Sequence, residues 1–579
     1  MGRFAGESGR GIQEMSRSSF QYHQIFPGNT VLVFIPHEDD EINIAGATIY
    51  GARREGFRVI CVFAANGDRS YTAETRIRET ETCLGKLGVP PEDIVFLGYP
   101  DGGLDAARCV YMHGQGKIMT VDGHSETYGI EGRPEFCMKE NGFHRPYTWE
   151  GVLADLEQVI EKYQPDTIIG IDFDSHPDHR MCSMALEIVL GHILNNKGNA
   201  YYPLVLKAFA YNTAFESFKD FYAPNLLSTR FSRRLIMDPA YETDNPVYEW
   251  EQRIRLPVAE ACRKPLLWDN VIFQALRGHL SQRAMLKADR IINGDQVFWQ
   301  RRTRNLAMKG KISASSGDPK YLHDFQTIHT NDIVPKHGVR MSEYLWKPDE
   351  QDRAPWCRCD FDAPQHVEAV YFYGNVDKES QIGRGRLIFS NGYTCDVSSL
   401  HEDGHETSVS FPPQDHVEWI EYQVLDRQGP QAGISEWEIL SSAREDIHLL
   451  QILADNNFMY DWEIAPGDTA PIISAYTCGL EAEKLIWFWN GQAMPLEDIN
   501  RHCRNMRNQG VIRVEAGGDT AALWAEASIR RISRLDAWRK NLFMMLDHGR
   551  VWLEKQRIKR KHHQLRLLKR KERELAEKK

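Results

Sequence analysis

The sequence of 579 residues contains no run of about 18 or more uncharged apolar residues, which is the length that a membrane-spanning helix needs. We therefore expect no transmembrane segment. Residues 1–10 lack the apolar stretch of a secretory signal, and we expect no such signal. The eleven cysteines are scattered, without the spacing of a disulfide framework or a zinc knuckle. They favour reduced thiols and a cytoplasmic location.

The charge is distributed unevenly along the chain. The net charge is −11, although residues 555–579 contain 12 Lys or Arg against 3 Glu. The acidic remainder argues against nucleic acid as a partner. The basic tail leaves two interpretations open: a helix that is solvated or binds a protein partner, and a helix attracted to an anionic membrane surface at the inner face of the membrane.

Apolar strand-like runs alternate with helix-like segments between residues 30 and 310. The strand-like runs are residues 30–35, 57–65, 93–98, 167–173 and 204–211. This alternation predicts a Rossmann-like α/β catalytic domain with a mostly parallel sheet and helices on both faces. A long segment rich in Gly and His, residues 105–148, interrupts it.

The pattern changes after residue 310 to short alternating runs between Gly, Pro, Asn and Asp turns. It predicts a β-sandwich over residues 311–442 and a second, β-rich and sandwich-like module over residues 446–530. Helical periodicity returns at about residue 531 and predicts a basic C-terminal helical tail over residues 531–579. Residues 1–29 remain as an N-terminal extension.

Two polar clusters each follow an apolar strand-like run. The first, residues 36–41, reads Pro-His-Glu-Asp-Asp-Glu, and the second, residues 176–179, reads His-Pro-Asp-His. Ligands of parallel sheets bind beyond the carboxyl ends of the strands, where both clusters are expected. Imidazoles and carboxylates are the normal ligands of catalytic zinc, which keeps one position open for water.

His37 and Asp40 are three residues apart in a turn that leaves a strand, so both can face one point, and His179 would complete a three-ligand zinc site. Asp39 can then serve as the general base, because a nearby carboxylate can accept the proton of the attacking water. His176 can stabilise the oxyanion or protonate the leaving amine. A structural role stays open, since Asp39 or Asp40 can instead cap a helix.

Residues 30–310 resemble the zinc-dependent N-acetylglucosamine deacetylases that include the LmbE-like and PIG-L proteins. The resemblance depends on five segments in order, namely residues 36–41, 66–68, 76–79 with 87–89, 99–103 and 176–179. It implies zinc ligation by His37, Asp40 and His179, with Asp39 as base and His176 as the electrophilic partner. It further implies that Arg76 and Asp101 contact sugar hydroxyls, although a helix pair of Arg76 with Glu79 and a simple turn at residues 101–103 stay open.

The sequence departs from this family at two places. Glu38 stands where the family has Pro, and we expect its side chain to be a bystander, with some loss of loop rigidity. The insert at residues 105–148 is expected to shape the substrate pocket. We also assign packing or rim positions, and no chemistry, to residues 279–282.

Residues 311–442 resemble a discoidin-type β-sandwich of the coagulation factor 5/8 C-terminal kind. The matching segments are residues 314–317, 355–361, 389–392 and 433–439. The resemblance implies glycan binding through loops at one end. Trp346 or Trp356 can stack on a sugar ring there, but a Trp in a sandwich more often belongs to the core. We expect core positions also for Trp487, Trp489 and Trp524.

These features together predict a cytoplasmic hydrolase that removes acetyl from an N-acetylated amino sugar of a glycoconjugate or a cell-surface glycan precursor. Its cofactor is expected to be one zinc ion, with another divalent metal as the open alternative. Two alternatives stay open. One is a different amidase on the same site, such as one that cleaves a thiol conjugate. The other is a scaffold that binds glycan without catalysis through residues 311–530.

Overall fold

The computed structural model describes most of the chain, namely residues 20–112, 120, 123–172, 174, 176–196, 200–210, 215–216, 225–231, 250–327, 344–402, 404–442, 447–517 and 523–576. Most of the predicted N-terminal extension, residues 1–19, lies outside these ranges. Parts of the predicted insert, residues 113–119 and 121–122, lie outside them as well.

The N-terminal part of the chain alternates strands and helices as predicted. Its strands are β1 (Thr30–Ile35), β2 (Arg58–Ala65), β3 (Ile94–Tyr99), β4 (Thr167–Ile171), β5 (Leu204–Ala208), β6 (Phe215–Glu216), β7 (Arg230–Phe231), β8 (Ile254–Pro257) and β9 (Asp295–Arg301). Its helices are α1 (Asp40–Arg54), α2 (Ala73–Leu87), α3 (Phe136–Asn141), α4 (Trp149–Tyr163), α5 (Pro177–Asn195), α6 (Val271–Leu276) and α7 (Ala288–Ile291).

Seven of these strands form one sheet in the order β3-β2-β1-β4-β5-β9-β8. The first five run parallel, and β9 and β8 complete the sheet with antiparallel pairs. Strands β1 and β4 are neighbours, with Val31 paired to Thr167 and Phe34 to Gly170. The strand order reverses between them, which is where doubly wound sheets open a crevice for a ligand. This pairing brings the two polar clusters to the same edge of the sheet.

The middle of the chain forms a β-sandwich. Its strands are β10 (Lys311–Ala314), β11 (Trp356–Val367), β12 (Ala369–Gly374), β13 (Gln381–Phe389), β14 (Thr394–Val397), β15 (Glu406–Val409), β16 (Gln414–Gln428) and β17 (Ile434–Leu440). A five-stranded sheet, β10-β11-β16-β13-β14, faces a three-stranded sheet, β15-β12-β17. Trp346 is fully buried and belongs to the same core as Trp437, which confirms the core interpretation for Trp346, whereas Trp356 is half-buried.

A second β-rich module follows. Its strands are β18 (Leu449–Ala454), β19 (Asn457–Phe458), β20 (Asp461–Ile464), β21 (Ile473–Cys478), β22 (Leu485–Trp489), β23 (Gln492–Ala493), β24 (Gln509–Ala516) and β25 (Trp524–Arg531), with helix α8 (Leu496–Asn505). They form a three-stranded sheet, β19-β18-β21, and a five-stranded sheet, β20-β25-β24-β22-β23. Trp487 and Trp489 are buried and Trp524 is half-buried. The predicted fold class is thereby confirmed, whereas the domain boundaries stay a prediction.

The chain continues into one long helix, α9 (Arg534–Ala576). Its residues Val551 and Ile558 belong to the core of the α/β domain, together with Ile447 and Leu449 of the second β module. The α/β domain, the second β module and helix α9 therefore pack against each other. Within the ranges given above, no helix is both long and apolar enough to cross a membrane.

Candidate metal and catalytic site

The two polar clusters are positioned by the starts of two helices. Helix α1 begins at Asp40, directly after β1 and the short turn that carries His37. Helix α5 begins at Pro177, whose fixed φ suits the first helical position. His179 therefore lies in the first turn of α5. Because β1 and β4 are adjacent, both helix starts lie at one edge of the sheet.

One carboxylate oxygen lies between two imidazoles. Asp40 Oδ2 is 3.3 Å from His37 Nδ1 and 3.1 Å from His179 Nε2. All three side chains are buried. The structure therefore brings together the three residues that were predicted to hold zinc.

The second nitrogen of each imidazole is held by another carboxylate. His37 Nε2 is 2.9 Å from Asp178 Oδ2, and His179 Nδ1 is 2.8 Å from Asp174 Oδ2. A metal-ligating His commonly has its outer nitrogen fixed in this way, because the carboxylate sets the ring orientation and raises its basicity. The residues present thus fit a zinc ion bound by two nitrogens and one oxygen.

Sequence reasoning missed the supporting roles of Asp174 and Asp178. Asp178 lies inside the second cluster, and Asp174 precedes it by two residues, so both were visible in the sequence. The sequence does not show that Asp178 faces the ring of His37 and Asp174 that of His179.

Mutual electrostatics stabilise the charged forms of these groups. Burial opposes a charge on His37, but the carboxylates of Asp101, Asp178 and Asp40 outweigh it and raise the pKa of His37. Burial likewise opposes ionisation of Asp40, but His179 and His37 outweigh it and lower the pKa of this carboxyl. Buried carboxylates need compensating positive charge, which a divalent cation supplies as well as protons do.

His176 lies beside the two other imidazoles. Its ring centroid is 4.8 Å from that of His37 and 4.6 Å from that of His179. Its Nδ1 accepts a hydrogen bond from the backbone N–H of Asp178 at 3.2 Å, which places the proton of the neutral ring on Nε2. Burial, together with the charges of His179 and His37, lowers the pKa of His176 to about 2. Nitrogens of the three imidazoles lie within 4.8 Å of one another, so His176 is a second candidate for a ligand position.

Asp39 has a strained backbone. Its φ of 129° lies in a region that non-Gly residues rarely adopt. Although Asp39 is the N-cap of α1, its side chain makes no capping hydrogen bond, so the capping alternative is not supported for it. Such strain, which costs about 1–3 kcal/mol, is concentrated at functional sites. Asp39 Oδ1 is 3.4 Å from Arg76 Nη2, and Oδ2 is 3.6 Å from Lys287 Nζ.

A buried cluster of Glu41, His279 and Cys83 holds the backbone of Asp39 in place. Glu41 Oε2 accepts the backbone N–H of Asp39 at 2.9 Å, and Glu41 Oε1 is 2.5 Å from His279 Nε2. Cys83 Sγ donates to the same Glu41 Oε1 at 3.2 Å. His279, which the sequence assigned to packing or the rim, is thus part of the network that positions Asp39. The sequence did not indicate this contact, because Glu41 and His279 are 238 residues apart in the chain.

Glu38 is not the bystander that the sequence suggested. Its side chain is fully buried, and Arg76 donates to its backbone carbonyl and lies 3.4 Å from its Oε2. Burial, opposed by Arg76, raises the pKa of Glu38 to about 7. Arg76 pairs with Glu38 and Asp39, whereas Glu79 accepts hydrogen bonds from Ser281.

The two residues predicted to contact sugar hydroxyls are placed differently. Arg76 is buried, with only 3% of its side chain exposed. Asp101 is 17% exposed, its Oδ1 lies 3.6 Å from His37 Nε2, and the same oxygen accepts the backbone N–H of Gly103 at 2.7 Å. Contact with a sugar stays a prediction for both residues.

We expect Arg76→Met to destabilise the fold by about 3–5 kcal/mol, because it leaves the buried Glu38 without its charge partner. Urea denaturation of the purified variant measures this loss. Arg78→Met is the matched control on the same helix: Arg78 is 49% exposed and pairs with Glu81, so its loss costs at most about 1 kcal/mol. Equal destabilisation by the two variants would refute the buried pair. Adding Glu38→Met to Arg76→Met should recover much of the lost stability.

Two segments of the chain match known protein families. Residues 32–189 match the PIG-L family, described as GlcNAc-PI de-N-acetylase. The predicted resemblance is therefore confirmed for this segment, which contains both polar clusters. Residues 305–440 match a domain of unknown function, DUF7402. No curated protein matches the chain.

Solved structures also resemble parts of the chain. N,N'-diacetylchitobiose deacetylase from Pyrococcus horikoshii is 22% identical over 33% of this chain and 64% of its own, with a TM-score of 0.23. The zinc-inhibited form of teicoplanin deacetylase Orf2 is 13% identical over 47% of this chain and 97% of its own, with a TM-score of 0.27. The family 32 carbohydrate-binding module of C. perfringens NanJ is 16% identical over 23% and 95%, with a TM-score of 0.18.

The chain thus spans less than two thirds of the chitobiose deacetylase.

Proposed function

We propose that this chain, whose residues 32–189 are a PIG-L family domain, is a metal-dependent hydrolase that removes the acetyl group from an N-acetylated amino sugar. The observation that carries the proposal is the arrangement of His37 and His179. One ring nitrogen of each faces Asp40 Oδ2, and the other ring nitrogen contacts a second carboxylate, that of Asp178 or Asp174. This is the arrangement expected of a metal site, and it lies at the reversal point of the sheet.

His37, Asp40 and His179 would hold the metal, for which zinc fits the nitrogen and oxygen donors best. When bound, zinc polarises a carbonyl and makes water nucleophilic at neutral pH. Water is then added across the amide, the C–N bond breaks, and acetate and a free amine are released. The remaining residues move the proton and stabilise the developing charge.

Asp39 is proposed to take the proton from the attacking water. Its position is fixed on three sides: Glu41 accepts its backbone N–H, and the side-chain nitrogens of Arg76 and Lys287 lie within 3.4–3.6 Å of its carboxylate. A base held in one orientation needs no reorganisation when the reaction starts. Arg76 then acts on the chemistry through Asp39.

His176 is proposed to stabilise the oxyanion. Because its Nδ1 accepts from the backbone N–H of Asp178, its neutral ring carries the proton on Nε2 and can donate it in a hydrogen bond to the carbonyl oxygen. Such a donor contributes about 10²–10³-fold to kcat. Asp101 is partly exposed beside His37, whereas the side chain of Arg76 is buried. Asp101 is therefore a stronger candidate than Arg76 for contact with a sugar hydroxyl.

An acetate-release screen tests the proposal. The full chain, loaded with zinc, is incubated with N-acetylhexosamine glycosides, nucleotide sugars and lipid-linked amino sugars, with and without a chelator. We expect acetate release from at least one class, and its loss with the chelator. Turnover of thiol-conjugate amides alone would instead support the other amidase. Glycan binding without turnover and without bound metal would support the scaffold.

A further inference from the structure

Helix α9 is attached to the protein along one side. Met544, Val551 and Ile558, each seven residues apart, are buried. Asp547 accepts the backbone N–H of Leu267 at 2.9 Å, and Glu554 pairs with Arg277 at 3.0 Å. The helix contains 43 residues, so it is about 64 Å long. These contacts fix which side of the helix faces away from the protein.

The opposite side exposes large apolar residues. Six exposed side chains on this side are 54–65% accessible, and most of them recur at intervals of seven residues; they are Leu535, Trp538, Met545, Leu546, Trp552 and Leu553. At about 100° of rotation per residue, they cover the arc that faces away from Met544, Val551 and Ile558. Large apolar side chains exposed together on one side of a surface helix indicate a site of interaction with a protein or a membrane.

The charges around this strip of apolar side chains are basic. Arg534, Arg539, Lys555 and Arg557 flank it, and basic residues continue from 559 to 561. Arg550 lies over the ring of Trp268, 4.9 Å from its centroid. The acidic residues between 534 and 571 are Asp536, Asp547 and Glu554. Of these, Asp547 and Glu554 contact the α/β domain, and Asp536 accepts from Ser533 at the start of the helix.

We propose that α9 binds an anionic lipid surface and lies in the plane of that surface, with the strip from Leu535 to Leu553 inserted at the headgroup boundary. Helices that bind in this way combine Trp, Leu and Phe on one face with Lys and Arg beside it. Each basic residue close to an anionic leaflet adds about 1 kcal/mol of attraction. Trp538 and Trp552 supply the side chains that prefer the interface between water and lipid.

Charge disfavours a second copy of the chain as the occupant. A coiled coil with Trp538, Met545 and Trp552 in its seam would have Arg539, His548, Lys555 and Arg560 among the charged or titratable positions that flank the seam, with Asn541, Leu546 and Leu553 between them. Two copies would set basic residues against basic residues, which is destabilising. An anionic bilayer supplies the opposite charge along the whole strip.

The helix contacts the segment that follows β2, at the edge of the sheet that carries the candidate site. The ring of His562 lies 5.9 Å from that of Tyr71, in the segment that follows β2 at the site edge of the sheet. Docking through α9 therefore places this edge near the lipid surface. The docking itself does not depend on the proposed reaction, and its test uses no substrate.

Flotation of the full chain with vesicles tests the proposal. We expect binding to phosphatidylcholine vesicles that contain phosphatidylserine, little binding to phosphatidylcholine alone, and weakening by salt. Trp538→Ser with Trp552→Ser should lower the vesicle partition coefficient by about tenfold or more. Both Trp side chains are more than half exposed, so the variant should fold, which circular dichroism checks.

The matched control is Ile472→Ser with Ile486→Ser. These side chains are exposed apolar residues of the second β module, outside α9, and their loss should leave vesicle binding unchanged. Absence of binding to anionic vesicles would overturn the proposal. Binding that survives the Trp substitutions would overturn it as well, because the basic tail would then adhere by charge alone. A dimer that forms through Trp538 and Trp552 without vesicle binding would show that the occupant is a second copy.

Discussion

The Asp39→Asn variant is expected to retain its metal and to lose almost all deacetylase activity. The substitution removes the base and keeps the size of the side chain. Asn also tolerates the positive φ of position 39 better than most residues do, so the local backbone should persist. General base catalysis contributes about 10²–10⁴-fold, and we expect kcat to fall by that factor.

Acetate release and metal analysis on the same preparation measure this effect. Asp269→Asn, a substitution at an exposed Asp of the same domain, is the matched control and should behave as the unaltered chain does. Substantial activity of Asp39→Asn would exclude Asp39 as the base. Loss of the metal from this variant would instead assign Asp39 to the ligand set.

The His179→Ala variant is expected to lose both the metal and the activity. His179 offers Nε2 toward Asp40 while Asp174 holds its other nitrogen, so its removal takes away one of three predicted ligands. We expect bound zinc to fall from about one per chain to near zero. Asp40→Asn tests the same site with a smaller change in volume and should also lose zinc.

Two further variants distinguish the possible ligand sets. His176→Ala should keep the metal and lose about 10²–10³-fold in kcat, because its proposed role is to donate to the oxyanion. Loss of metal from this variant would favour ligation by the three imidazoles instead. Cys83→Ser should keep the metal as well, since Cys83 belongs to the separate cluster with Glu41 and His279.

The sequence predicted the site well where the chemistry is local. The apolar runs that became β1 and β4 marked both clusters as ends of strands, and parallel pairing then required them to meet. His37 and Asp40 are only three residues apart, and their convergence follows from one turn before α1.

The remaining features depend on contacts between distant parts of the chain. Arg76 reaches Glu38 from α2, and His279 reaches Glu41 across 238 residues. A single sequence does not reveal which buried charges pair, so it predicts a bystander for Glu38 and a packing position for His279. The same limit applies to α9: its periodicity predicted a helix, but only packing shows that Val551 is buried and Trp552 is exposed.

We propose that metal held by His37, Asp40 and His179 is required for removal of acetyl from an amino sugar. Zinc titration of the chelated chain, with acetate release from an N-acetylhexosamine substrate as the readout, tests it most directly. We expect activity to rise with zinc, to saturate at about one zinc per chain, and to stay absent in His179→Ala. Acetate release that survives complete removal of the metal would contradict it.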